Sequence, residues 1–185
     1  MRRSPEGYFG TTGSTMCEGC AASWWIVLVA LIAVWLLFSG SPVFGFTSML
    51  VNLVRDHRPD RIVVTFDLPE PTFRHKAVTT YKANRDATPD LLVQQMELVR
   101  RVVDTLALPV VEAPGFEADD VIATLAERAK VAGEDVIIVT GDRDSYQLVE
   151  NPHVRVLYNR RGVSDYALYD EAGILERTGV KPSDY

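Results

Sequence analysis

Cysteine is scarce in this chain of 185 residues: Cys17 and Cys20 are the only two. That rules out a disulfide scaffold and fits a reducing compartment. A single C-x-x-C, with no second pair and no nearby His, is also too little for a zinc site. Positive charge is short as well. Nineteen Lys and Arg stand against 25 Asp and Glu, for a net charge of −6. The protein as a whole is therefore not a basic nucleic-acid binder, and any DNA or RNA contact must come from a local basic patch. No internal repeat is evident. No Ser/His/Asp or Cys/His pattern marks a covalent nucleophile. A hydrophobic fraction of 47% and a charged fraction of 24% are ordinary for a globular chain, and the length suits one domain, or one domain plus an appendage.

The composition changes near residue 40, which divides the chain into an atypical segment 1–42 and a domain 43–185. Residues 1–20 are rich in Gly, Ser and Thr, with Arg2 and Arg3 at the start. Residues 21–38, A-A-S-W-W-I-V-L-V-A-L-I-A-V-W-L-L-F, carry no charge. A spanning helix needs about 20 such residues, with about 17 as the lower limit. Trp24, Trp25 and Trp35 near its ends suit interfacial belts. A helical signal anchor over 21–38, which would tie the chain to a membrane, is one reading. The others are a segment buried in the domain core, or sequence foreign to the domain. All three stay open at this level.

From Val43 onward helices and strands alternate. Residues 47–57 place Met49, Leu50, Leu53 and Val54 at helical spacing. A strand over 61–66 follows, then a polar stretch 68–88 with no obvious buried element. A long helix over 89–107, a short strand at 109–112, a helix over 117–132 and a strand over 135–139 come next. A short helix over 144–150, a strand over 154–158 and a helix over 170–178 complete the pattern. Such alternation predicts an α/β fold, a mostly parallel sheet covered by helices on both faces.

Acids gather at the ends of these strands. Asp67 closes the run Ile62-Val63-Val64-Thr65-Phe66. Glu117, Asp119 and Asp120 stand together in G-F-E-A-D-D. Asp142 and Asp144 follow the buried run Val136-Ile137-Ile138-Val139. Acids just past parallel strands project into the crevice where open α/β sheets bind ligands. Helix capping would account for one or two of the acids at 117–120, and turn chemistry for Asp67 or Asp142 taken singly. Together they exceed those needs. So many like charges in one crevice repel unless hard cations neutralise them, which points to Mg²⁺ or Mn²⁺ and to phosphate chemistry.

The stretch 68–88 interleaves cations and aromatics: Phe73, Arg74, His75 and Lys76, then Tyr81, Lys82 and Arg85. Arg and Lys grip phosphates, and aromatic rings stack on unpaired bases. The plain alternative is a solvated loop whose charges pair with surface acids, and His75 alone reads as a solvated side chain.

These motifs, V-F-G-F-T-S-M-L, F-D-L-P-E-P-T-F-R-H-K, Y-K-A-N-R, G-F-E-A-D-D-V-I-A-T-L-A and V-T-G-D-R-D-S-Y-Q-L-V, stand in order across residues 43–185. They resemble the 5′–3′ exonuclease domain of bacterial DNA polymerase I, within the flap endonuclease family. The resemblance implies a PIN-like three-layer fold and a nuclease that cuts 5′ ends and 5′ flaps of DNA with two divalent metals. By it, Asp67, Glu117, Asp119 and Asp120 serve a first metal site, and Asp142 and Asp144 a second. Arg74, Lys82 and Arg85 fall in the region that handles the 5′ strand and scissile phosphate, with Tyr81 beside them and Lys82 counted among the catalytic residues. DNA replication and repair, a nucleoid-associated cytoplasmic location and a polymerase domain in full-length relatives belong to the same expectation.

The chain departs from the family at both ends. The family's first strand ends in Asp-Gly-x-x, yet residues 1–42 contain no Asp. A later Asp pair and a helix–hairpin–helix are not found up to Tyr185. The resemblance therefore leaves two functions: an active nuclease, or a DNA-binding remnant with impaired catalysis. A phosphatase of the haloacid dehalogenase type is disfavoured. It needs Asp-x-Asp after its first strand, and Asp67 is followed by Leu68 and Pro69.

Overall fold

Short runs of Val and Ile bounded by turn residues form the sheet, and longer amphipathic segments cover it. A computed structural model describes residues 25–30, 42–78, 80–83, 89–161 and 165–185. In chain order the elements are β1 (Trp25–Ala30), α1 (Pro42–His57), β2 (Arg61–Thr65), α2 (Phe73–Ala77), α3 (Asp90–Thr105), α4 (Ala118–Val131), β3 (Asp135–Thr140), β4 (Val154–Arg161), β5 (Asp165–Tyr169) and α5 (Glu171–Thr178). A 3₁₀ turn spans Arg143–Leu148, and another spans Pro182–Asp184.

The sheet has the order β2-β1-β3-β4-β5. The first four strands are parallel, and β5 runs antiparallel to β4, pairing Val156 with Tyr169. Helices lie on both faces. On one side Phe46, Met49, Leu50 and Leu53 of α1 and Val99 and Val103 of α3 pack with Val64, Ile137, Val139 and Leu157. On the other, Ile122, Ala126 and Ala129 of α4 and Ile174 of α5 pack with Val136, Ile138, Val154, Val156 and Tyr146. Buried aliphatic side chains of this size each contribute about 1.5–3 kcal/mol. A strand buried on both faces must be apolar at every position, and Val136 to Val139 are. The expected three-layer α/β fold is what the chain adopts.

The main correction concerns the apolar run 21–38. Its residues 25–30 are a strand, not part of a helix. β1 lies between β2 and β3, with Val27 in register with Ile62 on one side and Ile137 on the other. The run therefore supplies a central strand, including the first-strand place that the family resemblance left empty. Residues 21–24 and 31–38 lie outside the described residues, as do Cys17, Cys20 and nearly all of the segment 1–42. Among the described residues no helix is long and apolar enough to cross a membrane, so the anchor is not supported. The physical reason is that a short apolar run suits a doubly buried parallel strand as well as a helix.

Smaller differences follow from local context. The expected strand at 109–112 is only a bridge, Val110 to Val64. Val54 is 45% exposed, off the buried face of α1. β5 is absent from the sequence pattern, because the apolar alternation of Asp165–Tyr169 is too short to stand out. The polar stretch holds a short helix, α2, whose Phe73 N–H donates to the Gly115 carbonyl at 2.8 Å. Gly115 has a φ of +84°, which suits glycine and lets the chain turn into the acidic motif.

Candidate active site

The carboxyl edge of the parallel strands collects the chemistry. β2 ends two residues before Asp67, and β3 two residues before Asp142. α4 begins over the same edge, with Glu117 as its N-cap residue. These three segments bring Asp67, Glu117, Asp119 and Asp142 close enough to influence one another. The Asp119 carboxyl is pushed up to about 6, first by burial and then by the charges of Asp142, Asp67 and Glu117, with Lys82 opposing.

Asp67 is fastened in place. Its Oδ1 accepts the Ala118 backbone N–H at 2.7 Å, a free N–H of the first turn of α4. Asp120 is fastened too. The Glu117 N–H donates to Asp120 Oδ2 at 2.9 Å, and the Arg74 guanidinium donates to both carboxylate oxygens at 2.7 Å. The capping role open to this motif thus belongs to Asp120 and, from a distant strand, to Asp67. Asp142 accepts the Asp144 N–H at 2.9 Å, and its own N–H donates to the buried Thr140 hydroxyl at 2.9 Å. Asp144 is exposed, at the start of the 3₁₀ turn.

The polar stretch closes over this edge. Lys82 Nζ donates to Glu117 Oε1 at 2.6 Å, and the Tyr81 hydroxyl lies 3.2 Å from both Glu117 oxygens. Arg74 comes within 3.9 Å of Glu117. Burial alone would raise the Glu117 carboxyl, but Lys82, Tyr81 and Arg74 together hold it below its usual range. Arg74 does the same to Asp120 through its paired hydrogen bonds, and its own guanidinium is raised in turn. Lys82 has a φ of +54°, a strained backbone for a non-glycine residue, and such strain gathers at functional sites. His75 is half-buried rather than fully solvated. Its Nδ1 lies 2.8 Å from the Thr72 hydroxyl, and its ring meets Tyr81 edge to face at 5.1 Å. Arg85 lies outside the described residues.

Two sets of carboxylates result. Glu117 and Asp120 are matched by cations; Asp67 and Asp142 stand near Asp119, with the charge of Lys82 opposing theirs. The donor set is all oxygen, the kind that hard divalent cations prefer. The residues fit such an ion in chemistry. Among the described residues no three His, Cys, Asp or Glu are arranged to hold a metal as they stand.

Sequence reasoning did not single out Thr140, Thr72 or the Ala118 N–H. Thr140, as the last residue of a doubly buried strand ahead of Asp142, carried a legible signal. The other two depend on contacts across 51 residues or on side-chain rotamers.

Residues 39–179 match the family described as 5′-3′ exonuclease, N-terminal resolvase-like domain. The chain belongs to this family. It is 46% identical over 143 residues to DNA polymerase I of Mycobacterium bovis, covering 77% of this chain and 16% of that protein. It is 40% identical over 143 residues to the thermostable DNA polymerase I of Thermus thermophilus, with the same coverage of 77% and 16%. The chain thus spans only a small part of the curated relatives it matches. Among solved structures it resembles T5 5′-exonuclease with bound zinc ions, with a TM-score of 0.64 at 16% identity, covering 84% of this chain and 61% of that one. It also resembles the catalytic core of Rad2 in complex with DNA, with a TM-score of 0.50 at 19% identity, covering 86% and 50%. At such identities these two likenesses speak for the fold. They agree with the PIN-like architecture expected from the motifs.

Proposed function

We propose that this chain is a divalent-metal-dependent 5′–3′ exonuclease and 5′-flap endonuclease acting on DNA, as in primer removal and repair. The observation that carries the reading is the Asp119 carboxyl at the carboxyl edge of a parallel sheet, raised first by burial and then by the charges of Asp142, Asp67 and Glu117 gathered around it. Mutual repulsion in a crevice has no structural use, and a hard cation such as Mg²⁺ or Mn²⁺ relieves it. Asp67, Glu117, Asp119, Asp120, Asp142 and Asp144 are the residues we assign to holding two ions. Bound ions would supply Lewis-acid polarisation of the phosphate and a more acidic attacking water.

The chain's own side chains do the rest. Lys82 and Arg74 stand at the rim of the acids, within reach of a phosphate that enters between them. They offset charge building on its oxygens during in-line displacement. Tyr81 holds Glu117 and presents a ring to the strand, with Arg85 further along the same stretch. Asp67 keeps the N-terminus of α4 aimed at the crevice. Such work on a chromosome belongs in the nucleoid, and a polymerase domain alongside is the arrangement in the relatives.

A second reading, a catalytically impaired DNA-binding remnant, draws on one observation. β1 occupies the central place between the two acid-bearing strands, yet the residues after it, Leu31-Ile32-Ala33-Val34, carry no carboxylate. Cleavage of a labelled 5′-flap DNA in Mg²⁺, with EDTA as control, separates the two. Metal-dependent cleavage abolished by Asp119→Asn supports the nuclease. DNA binding without cleavage supports the remnant, and failure of both sinks the proposal.

A further inference from the structure

Outside the acid crevice, the face of the sheet covered by α5 carries a second cationic feature. Along β4 the side chains alternate, so Val154, Val156 and Tyr158 share one face, and Arg160 follows at a register shift between Asn159 and Arg161. Val154, Val156 and Tyr158 belong to the core packed under α4 and α5, and Arg160 at the strand end is exposed. Tyr169 of β5 lies beside them. Its hydroxyl receives two guanidiniums at once: Arg177 Nη1 at 2.7 Å and Arg160 Nη2 at 3.1 Å. The Arg177 guanidinium also sits 5.1 Å from the Tyr158 ring centroid and 5.3 Å from that of Tyr169. Arg143, exposed at the start of the 3₁₀ turn, lies beside the Tyr158 hydroxyl.

Three arginines thus surround two tyrosines. Among the described residues none of the three forms an ion pair; Asp165 acts on Arg160 only through its charge. Two cations that converge on one neutral hydroxyl repel each other, and the phenol oxygen, though it accepts one bond from each, brings no charge to offset them. A phosphate between them would accept from both and take the Tyr169 hydroxyl as a further donor. The tyrosine rings hold the guanidiniums in place beforehand, which lowers the entropy lost on binding.

The feature is also continuous with the crevice. Tyr158 is in register with Thr140, two residues before Asp142, and Arg143 directly follows Asp142. We infer that Arg143, Arg160 and Arg177, set on Tyr158 and Tyr169, form a second phosphate-binding strip that grips the DNA backbone some nucleotides away from the cut. The choice of DNA rests on the nuclease reading; the convergence of cations does not.

The test is fluorescence anisotropy of a labelled 5′-flap DNA in EDTA, titrated with KCl, on the full chain. Arg160→Gln and Arg177→Gln are each expected to weaken binding about tenfold and to lower the salt slope by up to about one. Arg160→Lys is expected to keep the slope. Thermal melting checks folding. Should Arg177→Gln unfold the chain through lost packing on the two rings, Arg160→Gln carries the test, since Arg160 has one hydrogen bond to Tyr169 and, among the described residues, lies over that ring alone, at 5.8 Å. An unchanged slope in folded Arg160→Gln, with a lower slope in Lys82→Ala, overturns the strip and leaves the nuclease reading intact. No DNA binding by the unaltered chain overturns both. Binding of inorganic phosphate that needs Arg160, alongside an unchanged DNA slope, overturns the DNA strand as the ligand.

Discussion

Asp67 Oδ1 accepts the backbone N–H of Ala118 at 2.7 Å, joining the end of β2 to the first turn of α4 across 51 residues. This bond sets the distance between the acid of one strand and the acids of the helix. On the proposed reading Asp67 both caps α4 and holds an ion, and a substitution can separate the two. Asp67→Asn keeps an acceptor for Ala118 and is expected to hold stability within about 0.5 kcal/mol of the unaltered chain, where Asp67→Ala is expected to cost about 1 kcal/mol, as for a lost helix cap. Both are expected to weaken Mg²⁺ binding, so urea denaturation with calorimetric metal titration distinguishes them. Equal stability in both variants would show that the cap is idle.

Asp119 should make stability fall as pH rises. Its ordinary value is 3.8, and in the folded chain it stands at about 6. Between those values the folded state binds more proton than the unfolded state, so this group's contribution declines from about pH 4 to about pH 6 and is flat above. Asp119→Asn is expected to raise stability at pH 7 without divalent ions by about 1–2 kcal/mol, after allowance for solvent screening. Near pH 3.5, below both values, the gain should vanish. Denaturation curves at both pH values check this, and a gain that persists in acid would remove the electrostatic cause.

Arg74 and Asp120 form a paired, partly buried bridge. Arg74→Lys is not a conservative change, because an ammonium cannot make two parallel bonds to one carboxylate. Both Arg74→Lys and Arg74→Ala are expected to raise the Asp120 carboxyl toward its ordinary value, readable by NMR titration. Arg74→Ala is expected to weaken DNA binding more. An unmoved Asp120 titration in both would show that the bridge does not form in solution.

Lys82 pairs with Glu117 at 2.6 Å while it also faces the crevice. Lys82→Ala is expected to lower the salt slope of DNA binding by up to about one. A slope equal to that of the unaltered chain would return Lys82 to a purely structural partner of Glu117.

β1 makes a prediction about folding. Removing residues 1–41 takes away the strand between β2 and β3 and exposes two apolar strand edges. The shortened chain is expected to aggregate or to lose cooperative unfolding, measured by thermal melting and size-exclusion chromatography. A shortened chain that stays monomeric and melts sharply would show that β1 is dispensable.

The sequence by itself determined the layering and the location of the acids. Val136 to Val139 are apolar at every position because both faces of β3 are covered, and that pattern is local. Asp67, Glu117, Asp119 and Asp142 could be placed at one edge because parallel strands all end there. The motifs added the family, and the relatives agree. What the sequence could not determine was anything resting on contacts between distant segments. The run around Trp25–Ala30 has the composition of a helix or a strand alike, and only its partners β2 and β3 make it a strand. The capping bond of Asp67, the cations matched to Glu117 and Asp120, and the two arginines on Tyr169 join residues far apart or on different elements. Their geometry depends on how the layers pack, and no spacing along the chain encodes it. Tertiary structure decided which acids meet the chain's own cations, Glu117 with Lys82 and Asp120 with Arg74.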